Sequence, residues 1–192
     1  LVQSRKPSRH HGLRTVKPTG PFGGQPRKEK GERKMTMTIN KDTNPKVSKA
    51  YYFAKAMHAG QVDKAGYDYF ISHVLGVVDE LEDSADETTY IAALLHDVVE
   101  DTEVKLSDVF RFFGGAVVAT VANLTRHEGV DYADYIDKIK RSANSEFGKE
   151  AVAVKIADLT HNLSTPEAIP ASLVKRYKKA LVKLKGESSS IK

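Results

Sequence analysis

The chain has 192 residues, of which 40% are hydrophobic and 29% are charged, so it carries enough apolar material for one compact domain with a buried core. It contains no cysteine, which excludes disulfides, thiolate metal sites and a cysteine nucleophile, and which fits a reducing cytoplasm. No apolar run approaches the length of a membrane span, so we expect no membrane partner.

The net charge of +5 hides two regions of opposite character. Residues 1–34 hold ten Lys or Arg against two Asp or Glu, whereas residues 35–192 hold 20 basic and 23 acidic side chains. The first region is rich in proline and glycine and lacks apolar periodicity, so we expect a disordered basic extension ahead of Met35, a candidate natural start. Its charges do not alternate with aromatic side chains, which argues against nucleic acid as a partner.

From Asn44 onward, apolar spacing, capping residues and helix breakers predict one helix after another. Gly114 and Gly115 separate two of these helices, and Pro166 and Pro170 mark a break before the last one. The predicted class is therefore all-α, a single helical domain over residues 35–186 followed by a polar tail at 187–192. The predicted helices are 47–59, 69–82, one that opens with a capping box at Ser84–Glu87 and runs to about residue 100, then 106–113, 116–125, 132–143, 150–163 and 171–184.

The helix that follows Ser84 has two distinct faces. At about 100° per residue, His96, Asp97 and Glu100 lie together on one side, with Asp101 at the margin. Acidic residues near a helix C-terminus oppose the macrodipole, which indicates a purpose such as a bound metal, although such residues also simply end helices. The opposite, apolar stripe consists of Ile91, Leu94, Leu95 and Val98.

A neutral imidazole beside a carboxylate suits a borderline divalent metal such as Mn, Fe, Zn or Co, but two adjacent ligands cannot complete a coordination sphere. His73 and Asp158, on other predicted helices, are candidates for the remainder. Lys155, Asp158 and Asn162 share one stripe of their helix. The alternatives are a structural His73 and an ordinary solvated face at Asp158 and Asn162. The remaining histidines of the domain are interpreted as structural or surface residues: His58, His127 and His161.

Five segments together resemble the HD superfamily of metal-dependent phosphohydrolases. Within that superfamily the similarity is to the hydrolase domain of the RelA/SpoT family, the enzymes that degrade (p)ppGpp, and especially to its small stand-alone members. The resemblance covers about residues 45–165, and the third segment is its most specific part. The segments are HAGQ (58–61), YFISH (69–73), AALLHDVVEDT (92–102), FGGAVVATVANLT (113–125) and VKIADLTHNLST (154–165).

The resemblance implies an HD-domain helical bundle and a division of roles among its polar residues. It implies that Glu100 and Asp101 flank the attacking water and that Asn162 contacts the nucleotide. Lys155 and Arg126 are suitable cations for a phosphate. The activity it implies is removal of the 3′-diphosphate from ppGpp or pppGpp, which leaves GDP or GTP and pyrophosphate. The residues implied to bind one metal, usually Mn²⁺, are His73, His96, Asp97 and Asp158.

The substrate side departs from the family pattern. The family has a basic residue in the loop before His73. Counting back from the FISH segment places Lys64 at that position, whereas counting forward from the HAGQ segment places Asp63 there. Val74 and Leu159 replace residues that are commonly Pro and Arg. Two alternatives therefore stay open: another HD phosphohydrolase acting on a nucleoside monophosphate, a deoxynucleotide or the phosphate of NADPH, and a non-catalytic nucleotide-binding protein. The sequence leaves the oligomeric state open.

Overall fold

The computed structural model describes residues 44–165 and 169–186. The predicted basic extension (1–34), Pro166 and the polar tail (187–192) lie outside these residues. Within the described ranges the chain is helical, and its β-type pairing is one isolated bridge between Val62 and Asp68. No helix in these ranges is long and apolar enough to cross a lipid bilayer. The all-α prediction is confirmed, and the domain limits 35–186 stay a prediction.

Each predicted helix corresponds to helical structure, and most of the bounds agree within three residues. The second predicted helix begins as a turn of π-helix, and the third is broken into two. The elements in chain order are α1 Pro45–Met57, the π-helical turn Phe70–Val74 that continues as α2 Leu75–Asp79, α3 Glu87–Leu95, α4 Val98–Asp101, α5 Leu106–Leu124, α6 Tyr132–Ser142, α7 Gly148–Leu163 and α8 Ala171–Lys185.

The start of α3 differs from the prediction. Asp86 is its N-cap, and Asp86 Oδ1 accepts hydrogen bonds from the backbone N–H of Thr89 (2.8 Å) and from the Thr89 hydroxyl (2.7 Å). The capping box predicted at Ser84–Glu87 is therefore wrong. Asp86 stands three residues before Thr89, so its carboxylate reaches the unpaired donors of the first turn, as an N-cap side chain must.

The break predicted at Gly114 and Gly115 is confirmed as a kink inside α5. Gly114 has φ 86° and ψ −177°, which is not helical, while the chain on either side is helical. This backbone conformation is open to glycine and strained for residues with a Cβ. The kink lets the two halves of α5 follow different directions without a connecting loop.

The main hydrophobic core surrounds α3, which contacts α1, α2, α5 and α7. Every residue from Thr89 to Leu95 is buried, including the predicted stripe of Ile91, Leu94 and Leu95. A second, smaller core joins α6, α7 and α8 around Ile136, Ile139 and Leu159. Helix α7 contributes to both cores, because Ala151, Val154 and Ala157 face the first. Its polar stripe therefore lies in the interior, next to the end of α3.

The Gly114 kink generates a test with a matched neighbour. We expect Gly114→Ala to destabilise the protein by about 1–3 kcal/mol, because the new Cβ is forced into a strained backbone region. Gly115 is the control: a Cβ there meets nothing within 4 Å, so Gly115→Ala should be neutral or stabilise by about 0.5–1 kcal/mol. Urea denaturation monitored by circular dichroism measures the free energy of unfolding of both variants. Equal changes in that free energy would contradict the kink at Gly114.

Candidate metal centre

The His96–Asp97 pair lies at a break between α3 and α4. His96 Nδ1 is 2.8 Å from the carbonyl of Ala93, the acceptor that the N–H of Asp97 uses in an uninterrupted helix. Asp97 has φ −104° and ψ −4°, and its own carbonyl accepts from the N–H groups of Glu100 (3.1 Å) and Asp101 (2.9 Å). The prediction of one continuous helix to residue 100 is therefore wrong.

This break reverses one argument made from the sequence. Glu100 and Asp101 lie in the first turn of a new helix, not at the C-terminus of a long one. Carboxylates near a helix N-terminus are favoured by the macrodipole, although α4 is only four residues long. The expected unfavourable placement of these acids is therefore wrong, and their position has to be explained by their surroundings.

Three potential ligands, His73, His96 and Asp158, come together from three parts of the fold, and a fourth, Asp97, approaches both imidazoles. His73 lies on the π-helical turn, His96 and Asp97 on the break after α3, and Asp158 on α7. One ligand atom from each of His73, His96 and Asp158 lies within 4.8 Å of the others. The two imidazole Nε2 atoms are 3.3 Å apart, and Asp158 Oδ1 is 3.6 Å from His73 Nε2. Asp97 Oδ2 is 2.9 Å from His96 Nε2 and 3.3 Å from His73 Nε2.

The chemistry of these donors fits a divalent metal. Because the Ala93 carbonyl can only accept, His96 Nδ1 carries a proton, so Nε2 is the nitrogen that faces the cluster and that would bind a metal after losing its own proton. Two imidazole nitrogens and two carboxylates suit borderline first-row metals, and a set of four leaves coordination positions for water or substrate. The cluster can therefore hold one divalent cation.

The electrostatics show how strongly these groups depend on one another. Burial by itself lowers the pKa of His96, but the carboxylates of Asp97 and Asp158 outweigh burial and raise that pKa to about 9. Burial likewise favours a neutral Asp97, yet the neighbouring imidazoles hold its pKa well below the usual range. The carboxylates and the positively charged imidazole thus stabilise one another. A metal cation at the same point would stabilise the carboxylates in the same way.

His73 is oriented by the local backbone and by a ring behind it. Asp68 lies just before the π-helical turn, and its Oδ1 accepts from the N–H of Ile71 at 2.9 Å. The His161 ring packs 5.3 Å from the His73 ring and occupies the space left by Gly76, where any Cβ would collide with it. The sequence interpretation assigned His161 to a structural or surface role. In the structure it is half-buried directly behind His73.

Asp158 is held by the two residues predicted to share its stripe. Lys155 Nζ lies 2.8 Å from Asp158 Oδ2, and Asn162 Nδ2 donates to Asp158 Oδ1 at 2.6 Å and to the Asp158 carbonyl at 3.0 Å. Burial raises the pKa of Asp158, but Lys155 and the two imidazoles lower it overall. Asp158 in turn keeps the pKa of Lys155 well above its ordinary value despite burial. This stripe is an internal ion pair, so the alternative of a solvated face is wrong.

Asp97 has a partner that the sequence interpretation missed. The Tyr69 hydroxyl donates to Asp97 Oδ2 at 2.6 Å. Burial and the nearby carboxylates raise the pKa of Tyr69, so the phenol stays neutral and remains a donor. Tyr69 stands in the YFISH segment, four residues before His73. In the sequence, only this closeness to His73 could have indicated that Tyr69 belongs to the site.

Glu100 and Asp101 are each tied to a different loop. Glu100 Oε1 accepts from the backbone N–H of Arg126 at 2.7 Å. Partial burial raises the pKa of Glu100, and the Arg126 N–H opposes this rise. Gln61 Nε2 donates to the Asp101 carbonyl at 2.8 Å, and Gln61 Oε1 lies 2.7 Å from Nδ1 of the buried His58. The HAGQ segment thus holds the backbone of α4 at Asp101.

The three cations expected to bind phosphate lie in different environments. Lys155 is engaged by Asp158, so its ammonium serves first as an internal counterion. Arg126 meets Glu100 through its backbone, while its guanidinium lies 5.9 Å from the centroid of the Tyr132 ring. Lys64 is exposed in a turn organised by Asp63, whose Oδ1 accepts from Ala65 and Tyr67. Among the described residues no contact links Lys64 to the metal cluster, and its role stays a prediction.

Comparison with known proteins identifies the type of domain. A family model described as an HD domain matches residues 50–183. The Escherichia coli (strain K12) protein named bifunctional (p)ppGpp synthase/hydrolase SpoT is 33% identical over 138 residues, which cover 66% of this chain and 19% of that protein. The Streptomyces coelicolor GTP pyrophosphokinase is 34% identical over 131 residues, covering 66% of this chain and 15% of that one.

A solved structure is similar over a larger share of its own length. This structure is of a metazoan ortholog of SpoT that hydrolyses ppGpp, and it superimposes with a TM-score of 0.61 at 26% identity. The similarity covers 76% of this chain and 89% of that one. The curated relatives are longer proteins, and the matched regions span 15% to 21% of the first few of them.

The metal cluster generates a direct binding test. We expect wild-type protein to bind one equivalent of a divalent metal such as Mn²⁺. Loss of a residue that only hydrogen-bonds to a metal ligand typically weakens metal affinity by roughly 10–100-fold. His96→Ala removes a ligand itself, so it should weaken the binding by at least that much. His127→Ala is the matched control, because His127 is an exposed histidine. Calorimetric titration with Mn²⁺ measures the affinities, and equal affinity in both variants would reject the cluster as the binding site.

The hydrogen bond from Tyr69 generates a finer test. Tyr69→Phe removes the donor to Asp97 and keeps the ring, so we expect metal affinity to fall about 10-fold or more with little change in fold. Tyr67→Phe is the control, since the Tyr67 side chain is 53% exposed. The same calorimetric titration applies. An unchanged affinity in Tyr69→Phe would show that Asp97 is positioned without the phenol.

Proposed function

Because this chain belongs to the HD-domain family, we propose that it is a metal-dependent phosphohydrolase that removes the 3′-diphosphate from ppGpp or pppGpp, giving GDP or GTP and pyrophosphate. The observation that carries the proposal is the group of His73, His96 and Asp158, with the Asp97 carboxylate against both imidazoles and with Glu100 and Asp101 on the next turn. The names of the SpoT relatives support the choice of substrate. Val74 and Leu159, which depart from the family pattern, are buried in the two hydrophobic cores and do not face a substrate.

We propose Mn²⁺ as the resident metal, with His73, His96, Asp97 and Asp158 as its ligands. Fe, Zn and Co suit the same donors. A divalent metal held there supplies a Lewis acid for transfer of the phosphoryl group to water. Tyr69 and Lys155 keep two of the ligand carboxylates ionised and in place, which is the state that binds a cation.

Glu100 is the proposed general base. The Arg126 N–H fixes one of its carboxylate oxygens, which aims the other oxygen in a defined direction. Burial raises the pKa of Glu100 toward the operating range, where a carboxylate accepts a proton from water more effectively. Asp101, on the same turn and held through its backbone by Gln61, is proposed to orient that water. The water oxygen bonds to the phosphorus attached to the 3′-oxygen, the bond from that phosphorus to the 3′-oxygen breaks, and the 3′-oxygen takes a proton from solvent as pyrophosphate is released.

Substrate binding is proposed to use residues around this centre. Asn162 is placed to contact the nucleotide while its amide supports Asp158, and Arg126 contributes a cation beside Glu100. Lys64 is proposed as a further phosphate contact from its exposed turn. We also propose a cytoplasmic location.

A nucleotide panel with Mn²⁺ tests this function. We expect pyrophosphate release from ppGpp, with Glu100→Gln lowering kcat by about 10²–10⁴-fold because the proton acceptor is lost. Glu103→Gln is the matched control, since Glu103 is an exposed acid on the same stretch of chain. Products are separated by ion-exchange chromatography, and calorimetry confirms that each variant still binds the metal.

Other products would select other functions. Orthophosphate released from a nucleoside monophosphate, a deoxynucleotide or NADPH, with ppGpp left intact, would assign the chain to a different HD phosphohydrolase activity. Tight binding of ppGpp without any cleavage, while His96→Ala loses the metal, would identify a non-catalytic nucleotide-binding protein.

A further inference from the structure

Beside the metal centre lies a group of side chains of which only Arg126 has a role in the proposed function. We call it the arginine–tyrosine cluster: Arg126 after α5, Tyr132 at the start of α6, and Arg176 and Tyr177 on α8. Arg176 Cζ lies 4.5 Å from the centroid of the Tyr132 ring, and Arg126 Cζ lies 5.9 Å from the same centroid. The Tyr177 ring packs 6.1 Å from the Tyr132 ring. Three separate elements thus bring two guanidinium groups to one aromatic ring.

The two guanidinium groups carry like charges; Arg126 is half-buried and Arg176 is exposed. Stacking on an aromatic ring stabilises each of them, but two cations on one ring also repel each other. Ion pairs within residues 44–165 and 169–186 engage lysines and histidines, and none of them engages Arg126 or Arg176. Arginine remains charged at all relevant pH values, so the repulsion cannot be relieved by loss of a proton. An anion bound between the two groups would relieve it.

The Tyr132 hydroxyl is a second, independent sign of a missing acceptor. Its oxygen is buried and has no hydrogen-bond partner among the described residues. Burial raises the pKa of Tyr132 to about 12, so the hydroxyl keeps its proton and is available as a donor to an added acceptor. A buried polar group without a partner is costly. A phosphate oxygen would satisfy it and complement both guanidinium groups.

The cluster borders the metal centre on the side of Glu100 and Asp158. The backbone N–H of Arg126 binds Glu100, so one member of the cluster touches the proposed base directly. The Tyr132 ring lies 6.1 Å from the Tyr135 ring, over which Lys155 Nζ sits at 5.2 Å while binding Asp158. A substrate with one phosphate arm at the metal would therefore have cationic surface within reach of its other arm.

We propose that Arg126, Tyr132 and Arg176 form an anion site that binds the 5′-phosphates of the substrate and selects nucleotides that are phosphorylated at both ends. The choice of substrate rests on the proposed function, whereas the anion site rests on the geometry of the cluster. Guanidinium groups suit this task because they present parallel donors to phosphate oxygens. Arg176 is the most informative residue to change, since its backbone takes no part in holding Glu100.

Equilibrium binding to the metal-loaded protein tests the site without any need for turnover. The probes are GDP and guanosine, which differ only in the 5′-phosphates. We expect Arg176→Ala to weaken GDP binding by roughly 10-fold or more, the scale of a lost charge-assisted hydrogen bond, and to narrow the difference between GDP and guanosine. Tyr132→Phe, which keeps the stacking ring, should weaken GDP binding by a few fold. Lys178→Ala is the control, as an exposed cation about 200° around α8 from Arg176.

Kinetics on the same variants test selection of the substrate. For Arg176→Ala we expect KM for ppGpp to rise roughly 10-fold with a smaller effect on kcat, so that the preference for ppGpp over guanosine 3′-diphosphate shrinks. Arg176→Lys should restore part of the affinity through its charge alone. Thermal unfolding confirms that each variant is folded.

The outcomes separate the two proposals. If GDP binding depends on Arg176 but ppGpp is not hydrolysed, the anion site stands and the proposed function fails. If ppGpp is hydrolysed while Arg176→Ala binds GDP as wild type does, the proposed function stands and the anion site is overturned. Equal weakening of GDP and guanosine would also overturn it, because the cluster would then recognise the base or ribose.

Discussion

The buried carboxylate of Asp158 is the constraint on which the rest of the structure depends. A charge removed from water is tolerated only if partners compensate it, and Asp158 has three: Lys155, Asn162 and His73. Two of them lie on α7 itself, so this helix brings its own compensation into the interior. The same helix packs its small residues against the main core and Leu159 against the second. Both cores are therefore joined along a helix whose polar stripe faces the end of α3.

The candidate residues Asp97, Glu100 and Asp101 are held from outside their own helix. Tyr69 binds Asp97, the N–H of Arg126 binds Glu100, and Gln61 binds the backbone of Asp101. Each support comes from a loop or a turn that precedes or follows a core helix. Such supports fix ligand geometry before a metal or substrate arrives, which lowers the reorganisation that catalysis would otherwise require. The arginine–tyrosine cluster extends the pattern, since α8 contributes to the site's surroundings through the second core.

Much of the fold could be predicted because it follows from local rules. The burial of Ile91, Leu94 and Leu95 follows from apolar spacing, and the kink at Gly114 from the conformations that only glycine adopts readily. The N-cap of α3 could not be chosen with certainty, because Ser84 and Asp86 both offer suitable side chains. The break after Leu95 was hidden for a different reason: the His96 side chain competes for a backbone carbonyl, and helix propensity contains no term for that competition.

The sequence by itself determined the helical class, the apolar stripes and, through the resemblance of five segments, which residues belong to the candidate centre. Spacing along a helix reports which side chains share a face, and that was enough to group Lys155, Asp158 and Asn162. Only the tertiary structure decided what these residues do to one another. It made Lys155 the counterion of Asp158, brought Tyr69 to Asp97 and placed Arg176 on the ring of Tyr132. Such pairings depend on how helices distant in sequence pack, and no local pattern encodes the distance between them.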